Sequence, residues 1–342
     1  MTFNNRCCGL VVIRSENSNW NADFSGFPRR LPDEKGTIYA TDKALKYAIR
    51  KYFIDTGERV FVWKSHVERK SGGKKKKKSE SSPEANDAKI IVPRKLEQRF
   101  SFMKEVLNIN DDEKKDNKII YKVFSKCLDV KLFGIAFTVG DSNISLTGPL
   151  QFSYGINMLD CNRVYTNQIL SPYLTEKQGK KEEDEEARAS TLGSEVKALT
   201  SYYVYDFVLN PRNISDHMED FFKDNSFVDI LLTGDDILKL KKALNRAATN
   251  LNTAAKIGND NVMTLFITLN ENEQIQLPSL KHFVNIRIED DHAVIDLGDL
   301  KNILDSLSGK IEIELFKNDQ VCKVINHGDS QKDKWIVDDI LG

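Results

Sequence analysis

The run Cys8 to Ile13, CGLVVI, constrains the fold of this chain more than any other stretch. An almost unbroken apolar run suits a strand covered on both faces, because a strand with one wet face alternates apolar and polar side chains. A polar loop bearing glycine and proline follows from Ser15 to Gly36. Thr41 then stands where a helix N-cap is expected, and Asp42 in the first turn complements the helix dipole. In that helix Leu45, Ala48, Ile49 and Tyr52 recur at i, i+3, i+4 and i+7 and make one apolar face. Arg59 to Trp63 (RVFVW) predicts a second strand.

Beyond Trp63 the composition shifts. Lys70 to Pro83 is low-complexity Lys, Ser and Gly, the composition of a mobile loop over 69–82. Leu96, Phe100, Met103 and Leu107 return to helical spacing, so 64–118 reads as a helical insertion. Strands are expected at Lys131 to Val139 and Asn143 to Phe152, then a second insertion over 154–200 that carries the acidic run Glu182 to Glu186. Tyr202 to Leu209 (YYVYDFVL) has the aromatic and β-branched content of a strand. Asp235 or Asp236 opens a long helix with Ile237, Leu240, Leu244, Ala247 and Leu251 on one face, and Gly258 ends it. Val262 to Leu269, Phe283 to Ile288, Ala293 to Leu297 and Ile311 to Phe316 read as strands. Without its insertions the order contains the split βαβ of ferredoxin-like and RNA-recognition folds, so the expected class is α+β.

The net charge of -1 conceals two opposed clusters, the basic Arg69, Lys70 and Lys74 to Lys78 against the acidic Glu182 to Glu186. No apolar run approaches the roughly 20 residues needed to span a bilayer. The N-terminus, polar before its cysteines, does not read as a signal peptide. A cytoplasmic location and no membrane partner are expected. Cys7, Cys8, Cys127, Cys161 and Cys322 lack a C-x-x-C and fit free thiols in a reducing compartment. Phosphate-loop, dinucleotide and H-E-x-x-H patterns are absent and the histidines are dispersed, so no catalytic set, metal or cofactor is expected.

Lys43, Lys46 and Arg50 lie at i, i+3 and i+7 beside the apolar face of the first helix. Such a stripe makes a rail for a phosphate backbone, and it is equally what a solvated helix face looks like. Lys239, Lys242 and Arg246 on the long helix carry the same ambiguity. The preceding loop interleaves Asn19, Trp20, Asn21, Asp23, Phe24, Phe27, Arg29 and Arg30. Rings among amides and guanidinium groups suit a single strand, since bases stack on rings and phosphates meet cations; the same rings suit packing into a core.

At Asp129 to Gly155 the sequence DVKLFGIAFTVGDSNISLTGPLQFSYG resembles the backbone subunit of type I CRISPR Cascade complexes, most closely the subtype I-B form. The resemblance rests on Asp129-Val130-Lys131-Leu132-Phe133-Gly134, expected as a strand, and on Ser145-Leu146-Thr147-Gly148-Pro149-Leu150-Gln151-Phe152. It extends to the loop Asn19-Trp20-Asn21-Ala22-Asp23, where Trp20 and Ala22 stand in place of the family's proline and glycine, and to the helix Thr41 to Arg50. It implies an RNA-recognition-type (RRM-like) palm with fingers over 64–118 and a thumb over 154–200. It also implies copies lined head to tail along a CRISPR RNA (crRNA), other Cascade subunits, and target DNA met through the guide. In that picture Lys46 and Arg50 contact guide phosphates with Thr41 and Lys43 beside them. Asn19, Asn21 and Arg29 line the same groove, and Thr147 and Gln151 follow from the second motif. The expected function is a non-catalytic guide-RNA scaffold. The alternatives are target-RNA cleavage through Asp23, as in related type III backbone subunits, and a free-standing single-stranded RNA-binding protein.

Overall fold

The computed structural model describes residues 1–70, 89–109, 117–170, 191–221, 229–271, 273, 275–290, 292–329 and 335–340. Lys74 to Lys78 and Glu182 to Glu186 lie outside the described residues. Up to Phe152 the chain forms β1 (Cys7–Ser18), β2 (Tyr39–Ala40), α1 (Asp42–Asp55), β3 (His66–Lys70), β4 (Lys89–Pro93), α2 (Leu96–Val106), α3 (Asn117–Phe124), α4 (Leu128–Phe133), β5 (Gly134–Val139), β6 (Ser142–Thr147) and β7 (Leu150–Phe152). Then come β8 (Gly155–Asn157), β9 (Val164–Leu170), β10 (Thr191–Leu209), α5 (Arg212–Phe221), α6 (Gly234–Arg246) and β11 (Asn259–Leu269). A 3-10 turn (Leu280–Phe283) leads to β12 (Asn285–Glu289), β13 (His292–Asp296), α7 (Gly298–Asp305), β14 (Ile311–Lys317), β15 (Lys323–Ile325) and β16 (Trp335–Asp339). The architecture is α+β. It divides into a first unit, Met1–Thr56 with Pro149–Pro211 and Leu232–Gly342, and a second, Gly57–Gly148 with Arg212–Leu231.

The first unit is built on a sheet in the order β16-β14-β11-β1-β10-β8-β2, with β7 and β9 also paired to β10. β1 runs antiparallel to both β10 and β11. With a neighbour on each side and both faces covered, Leu10, Val11, Val12 and Ile13 are all fully buried, which is why the run lacks polar alternation. Register sorts the faces. On one, Leu10, Val12, Val204, Leu265 and Leu315 cluster with Leu280, Ile286, Ile295 and Leu300 of the C-terminal layer. On the other, the Tyr205 hydroxyl donates to the Thr41 carbonyl and the Thr264 hydroxyl to the Leu244 carbonyl, so α1 and α6 lie there.

Helix α1 buries Leu45, Ala48, Ile49 and Phe53; Phe53 fills the position expected for Tyr52. Helix α6 opens at Thr233 and not at Asp235 or Asp236. The Thr233 hydroxyl accepts from the Asp236 amide at 3.2 Å, while the Asp236 carboxylate accepts from the Thr233 amide at 2.8 Å, a reciprocal cap. The helix ends at Arg246, short of the expected Leu251. The expected strand Phe283 to Ile288 begins as the 3-10 turn and becomes β12 only at Asn285.

The second unit packs Phe61, Met103, Phe124, Phe137, Ile144, Leu146, Ile214 and Met218 into its own core. Three expectations are corrected here. Arg59 to Trp63 is not a strand, because side chains rather than a neighbouring strand satisfy its backbone. The Asp129 carboxylate accepts from the Phe61 and Val62 amides at 2.7 and 3.0 Å. Arg99 donates to the Val60 and Phe61 carbonyls at 2.6 and 2.9 Å. Next, Lys131 to Val139 is not one strand: Leu128–Phe133 is helical, and Gly134 at φ +70° turns the chain into β5. Finally, Asn143 to Phe152 is split into β6 and β7. A Cβ on Gly148 would stand 2.2 Å from the Gly134 nitrogen, so two glycines let those backbones touch. The expected insertion 64–118 falls within this unit, which runs on to Gly148. The described part of 154–200 belongs to the first unit as β8, β9 and the start of β10.

Candidate nucleic-acid interface

Where β1 ends at Ser18, the chain leaves the sheet into a loop whose root is held by side chains. Asn19 is only 6% exposed, and its amide nitrogen donates to the Gly26 and Val196 carbonyls, each at 3.0 Å. Trp20 is buried and its indole N–H donates to the Tyr205 hydroxyl at 2.7 Å. Burial holds the Tyr205 phenol well above its ordinary pKa, outweighing the Trp20 hydrogen bond. The Asn21 side-chain oxygen Oδ1 accepts from the Thr41 amide at 2.9 Å and the Thr41 hydroxyl at 3.0 Å. Thr41 does occupy the N-cap position of α1, but its side chain makes no cap hydrogen bond to the helix.

The loop tip is closed by Asp23, whose carboxylate accepts from the Ser25 and Phe27 amides at 2.8 and 2.9 Å. The Asp23 amide donates to the Phe27 carbonyl at 2.7 Å. This tight turn leaves Phe24 fully exposed and Phe27 46% exposed. Of the two readings of the loop, Trp20 therefore follows the core reading, while the phenylalanines are offered to solvent.

On α1 itself Lys43 is exposed and Arg50 half-buried. The Lys46 ammonium sits 3.1 Å from the Asp42 carboxylate with its side chain only 13% exposed. The structure thus brings together Asn21, Thr41, Lys43, Lys46 and Arg50. Arg29 joins them through the loop, its carbonyl accepting from the Tyr39 amide at 2.9 Å and its buried Nε lacking a partner. Two predicted residues stand apart, and a third belongs to the second unit. Asn19 points into the loop root with its amide protons committed. Thr147 ends β6 in the second unit. Gln151 pairs across β10 with Val208, which in turn pairs with Cys8. That row lies on the face under the C-terminal layer, so the sheet separates it from α1. There Gln151, Arg6, Cys8, Val208, Leu277 and Lys281 line a cavity of about 580 Å3. On α6, Lys239 pairs with Asp235 at 2.9 Å, which favours the solvated-face reading for that residue.

One residue carried no signal in the spacing. The Lys256 ammonium donates to the Asn19 and Trp20 carbonyls, both at 2.6 Å, and lies 5.8 Å from the Trp20 ring. Burial pushes this ammonium down from 10.5 to about 8. Between about pH 8 and 10.5 this side chain then holds its proton more in the unfolded chain than in the native one, so its contribution to stability rises with pH across that window. Below it both states are charged and the burial cost stands in full. Urea unfolding at neutral pH and near pH 10 should show wild type gaining stability relative to Lys256→Met, a comparison in which the opposite contribution of the buried thiols cancels. An identical pH dependence in both proteins would refute the assignment.

Among the described residues no group of three or more His, Cys, Asp or Glu could hold a metal ion, and no helix is long and apolar enough to cross a membrane. The five cysteines are free thiols.

Two chains from solved structures match this chain over most of their length. One, described as a CRISPR RNA-guided surveillance complex in a pre-nicking state, has 13% sequence identity and a TM-score of 0.48, over 96% of this chain and 98% of that one. The other, a CRISPR RNA-guided surveillance complex, has 11% identity and a TM-score of 0.42, over 93% and 95%. No curated protein matches. The family model for CRISPR-associated protein Cas7 matches residues 5–305, which takes in β1, the anchored loop, α1, the Asp129 to Gly155 segment and α6. The chain belongs to the Cas7 family of CRISPR-associated proteins.

Proposed function

We propose that the chain is a non-catalytic guide-RNA-binding backbone subunit of a CRISPR surveillance complex, nearest the subtype I-B form. Family membership supports its place in such a complex. The observation that carries RNA contact is a pair of exposed phenyl rings, Phe24 and Phe27, on a loop tied through Asn21 to the foot of a cation-bearing helix. Every base has a face to stack and every phosphate a charge, so this surface holds a single strand without reading it. Sequence is then left to pairing between the guide and target DNA.

The strand order β11-β1-β10-β8, with α1 and α6 on one face, is that of the split βαβ fold and supports an RNA-recognition-type palm. On this reading the second unit serves as fingers and the β9–β10 hairpin as thumb. Copies line up head to tail along the crRNA, and other Cascade subunits complete the assembly. Asp23 closing its own turn supports a structural role for that carboxylate.

Phe24→Ala with Phe27→Ala should weaken binding of single-stranded RNA about thirtyfold or more, since stacking contributes about 1–3 kcal/mol per base. The log–log salt slope should stay unchanged, because no charge is lost. Unchanged affinity would take the loop out of the RNA path. Light scattering should find several copies per guide; one copy would favour a free-standing RNA-binding protein. The assembled complex given complementary RNA and Mg2+ should yield no cleavage ladder. A regular ladder lost in Asp23→Ala would make the chain a nuclease.

A further inference from the structure

We propose that Lys256 is a positioning residue of the RNA interface: gripping two consecutive carbonyls at the loop root, it sets the segment that presents Phe24 and Phe27. The inference rests on the RNA-binding reading only for its functional consequence; the anchoring is a matter of geometry.

Consecutive carbonyls of an extended chain point to opposite sides, so no strand partner can serve both from one position. At the end of β1 the carbonyls of Asn19 and Trp20 converge on one donor, the Lys256 ammonium, at 2.6 Å each. An ammonium has three N–H groups and full charge, so it can bond both at once and more strongly than a neutral donor. The donor is itself held firmly. It stands in the turn after α6, where the Lys256 and Ile257 amides both donate to the Thr253 carbonyl at 2.7 and 2.9 Å. The Asn259 side chain donates to the Lys256 carbonyl at 2.6 Å. The turn is laid against β1 by the Glu16 amide donating to the Gly258 carbonyl at 2.8 Å. A Cβ at Gly258 would stand 2.3 Å from the Glu16 oxygen, so only glycine permits that approach.

The loop root is thus clamped from two directions. Tyr205 on β10 fixes the Trp20 ring, and Lys256 fixes the backbone on either side of it. Five residues on from Asn19, the ring of Phe24 makes no use of the core, so its place in space depends on this clamp together with the Asn19 and Asn21 side-chain bonds and the Asp23 turn. A long lysine with a desolvated ammonium is a poor choice for general stability, where an apolar side chain would carry less penalty. It suits a task that needs two oxygens held at fixed positions.

The test is Lys256→Met in the full chain, read by hydrogen exchange and by RNA binding across a salt series. Exchange at the Asp23 and Phe27 amides should quicken about tenfold or more, while β1 and β10 amides stay protected, because a freed root opens locally rather than globally. RNA affinity should fall several-fold with its log–log salt slope unchanged. A slope lower by about 0.7 would make Lys256 a phosphate contact instead, and wild-type exchange at the loop would overturn the proposal outright. Should the methionine variant lose protection in β1 and β10 as well, Lys256→Gln, which keeps one donor, replaces it with the same expected pattern at smaller amplitude. Exchange needs no RNA, so a wild-type chain that binds none would refute the RNA reading and leave the anchor separately judged.

Discussion

Asp129→Ala should destabilise the second unit by about 3 kcal/mol, because it strips a charged acceptor from two amides and leaves the buried one, on Phe61, without a partner. Asp129 is fully buried, and its carboxylate holds the Phe61 and Val62 amides. Those residues carry Phe61 into the core beside Phe124 and Phe137. The loss is therefore one of packing as well as of hydrogen bonds. Asp129→Asn keeps one acceptor and should cost about half as much. Urea unfolding followed through probes in each unit should place the early transition in the second. Equal and small effects of both substitutions would mean that the 60–62 segment is held mainly by Arg99.

Lys46→Ala with Arg50→Ala should weaken RNA binding about a hundredfold or more, since charge-assisted hydrogen bonds contribute about 1.5–3 kcal/mol each. It should also lower the log–log salt slope by about 1.4, two contacts at about 0.7 each. The structure adds a complication. Lys46 is paired with Asp42, so its removal bares a carboxylate beside the proposed RNA path and adds repulsion to the lost attraction. Adding Asp42→Asn to the double variant removes that carboxylate. Affinity should then recover in part while the slope stays low. A slope that never changes would take α1 out of the phosphate path.

The sheet and its helices were legible in the sequence wherever one side chain per residue decided the outcome. The run at Cys8 to Ile13 became the central strand, and the periodicities of α1 and α6 became buried stripes. The errors came where backbone groups bond to distant side chains. Nothing local in RVFVW tells of a carboxylate at Asp129 that takes its amides, so a strand composition produced an irregular segment. The same ignorance hid Lys256, whose partners lie far away in sequence and are carbonyls, common to every residue. Gln151 lies away from α1 for another reason. Parity along a strand places it on the face opposite α1, and parity is readable only once the neighbouring strand is known. The Asp129 to Gly155 segment, which carried the family resemblance, owes its character to folding demands: a buried acceptor and two glycines whose backbones touch.

Strand β10 has a mechanical consequence. It runs without a break from Thr191 to Leu209, about 60 Å at roughly 3.3 Å per residue. Ala198 to Leu209 is bonded to β1, and Thr191 to Ala198 is bonded to β9. Both ladders meet at Ala198, so no hinge separates arm from base. The hairpin is a cantilever rooted in the middle of the sheet, and a force on its outer part must twist β1 and β10 together to move it. Its pairing with β9 shifts register between Thr191 and Gly193, at the distal end of the described ladder. The bearing of the described arm is therefore set at its root, by the sheet itself.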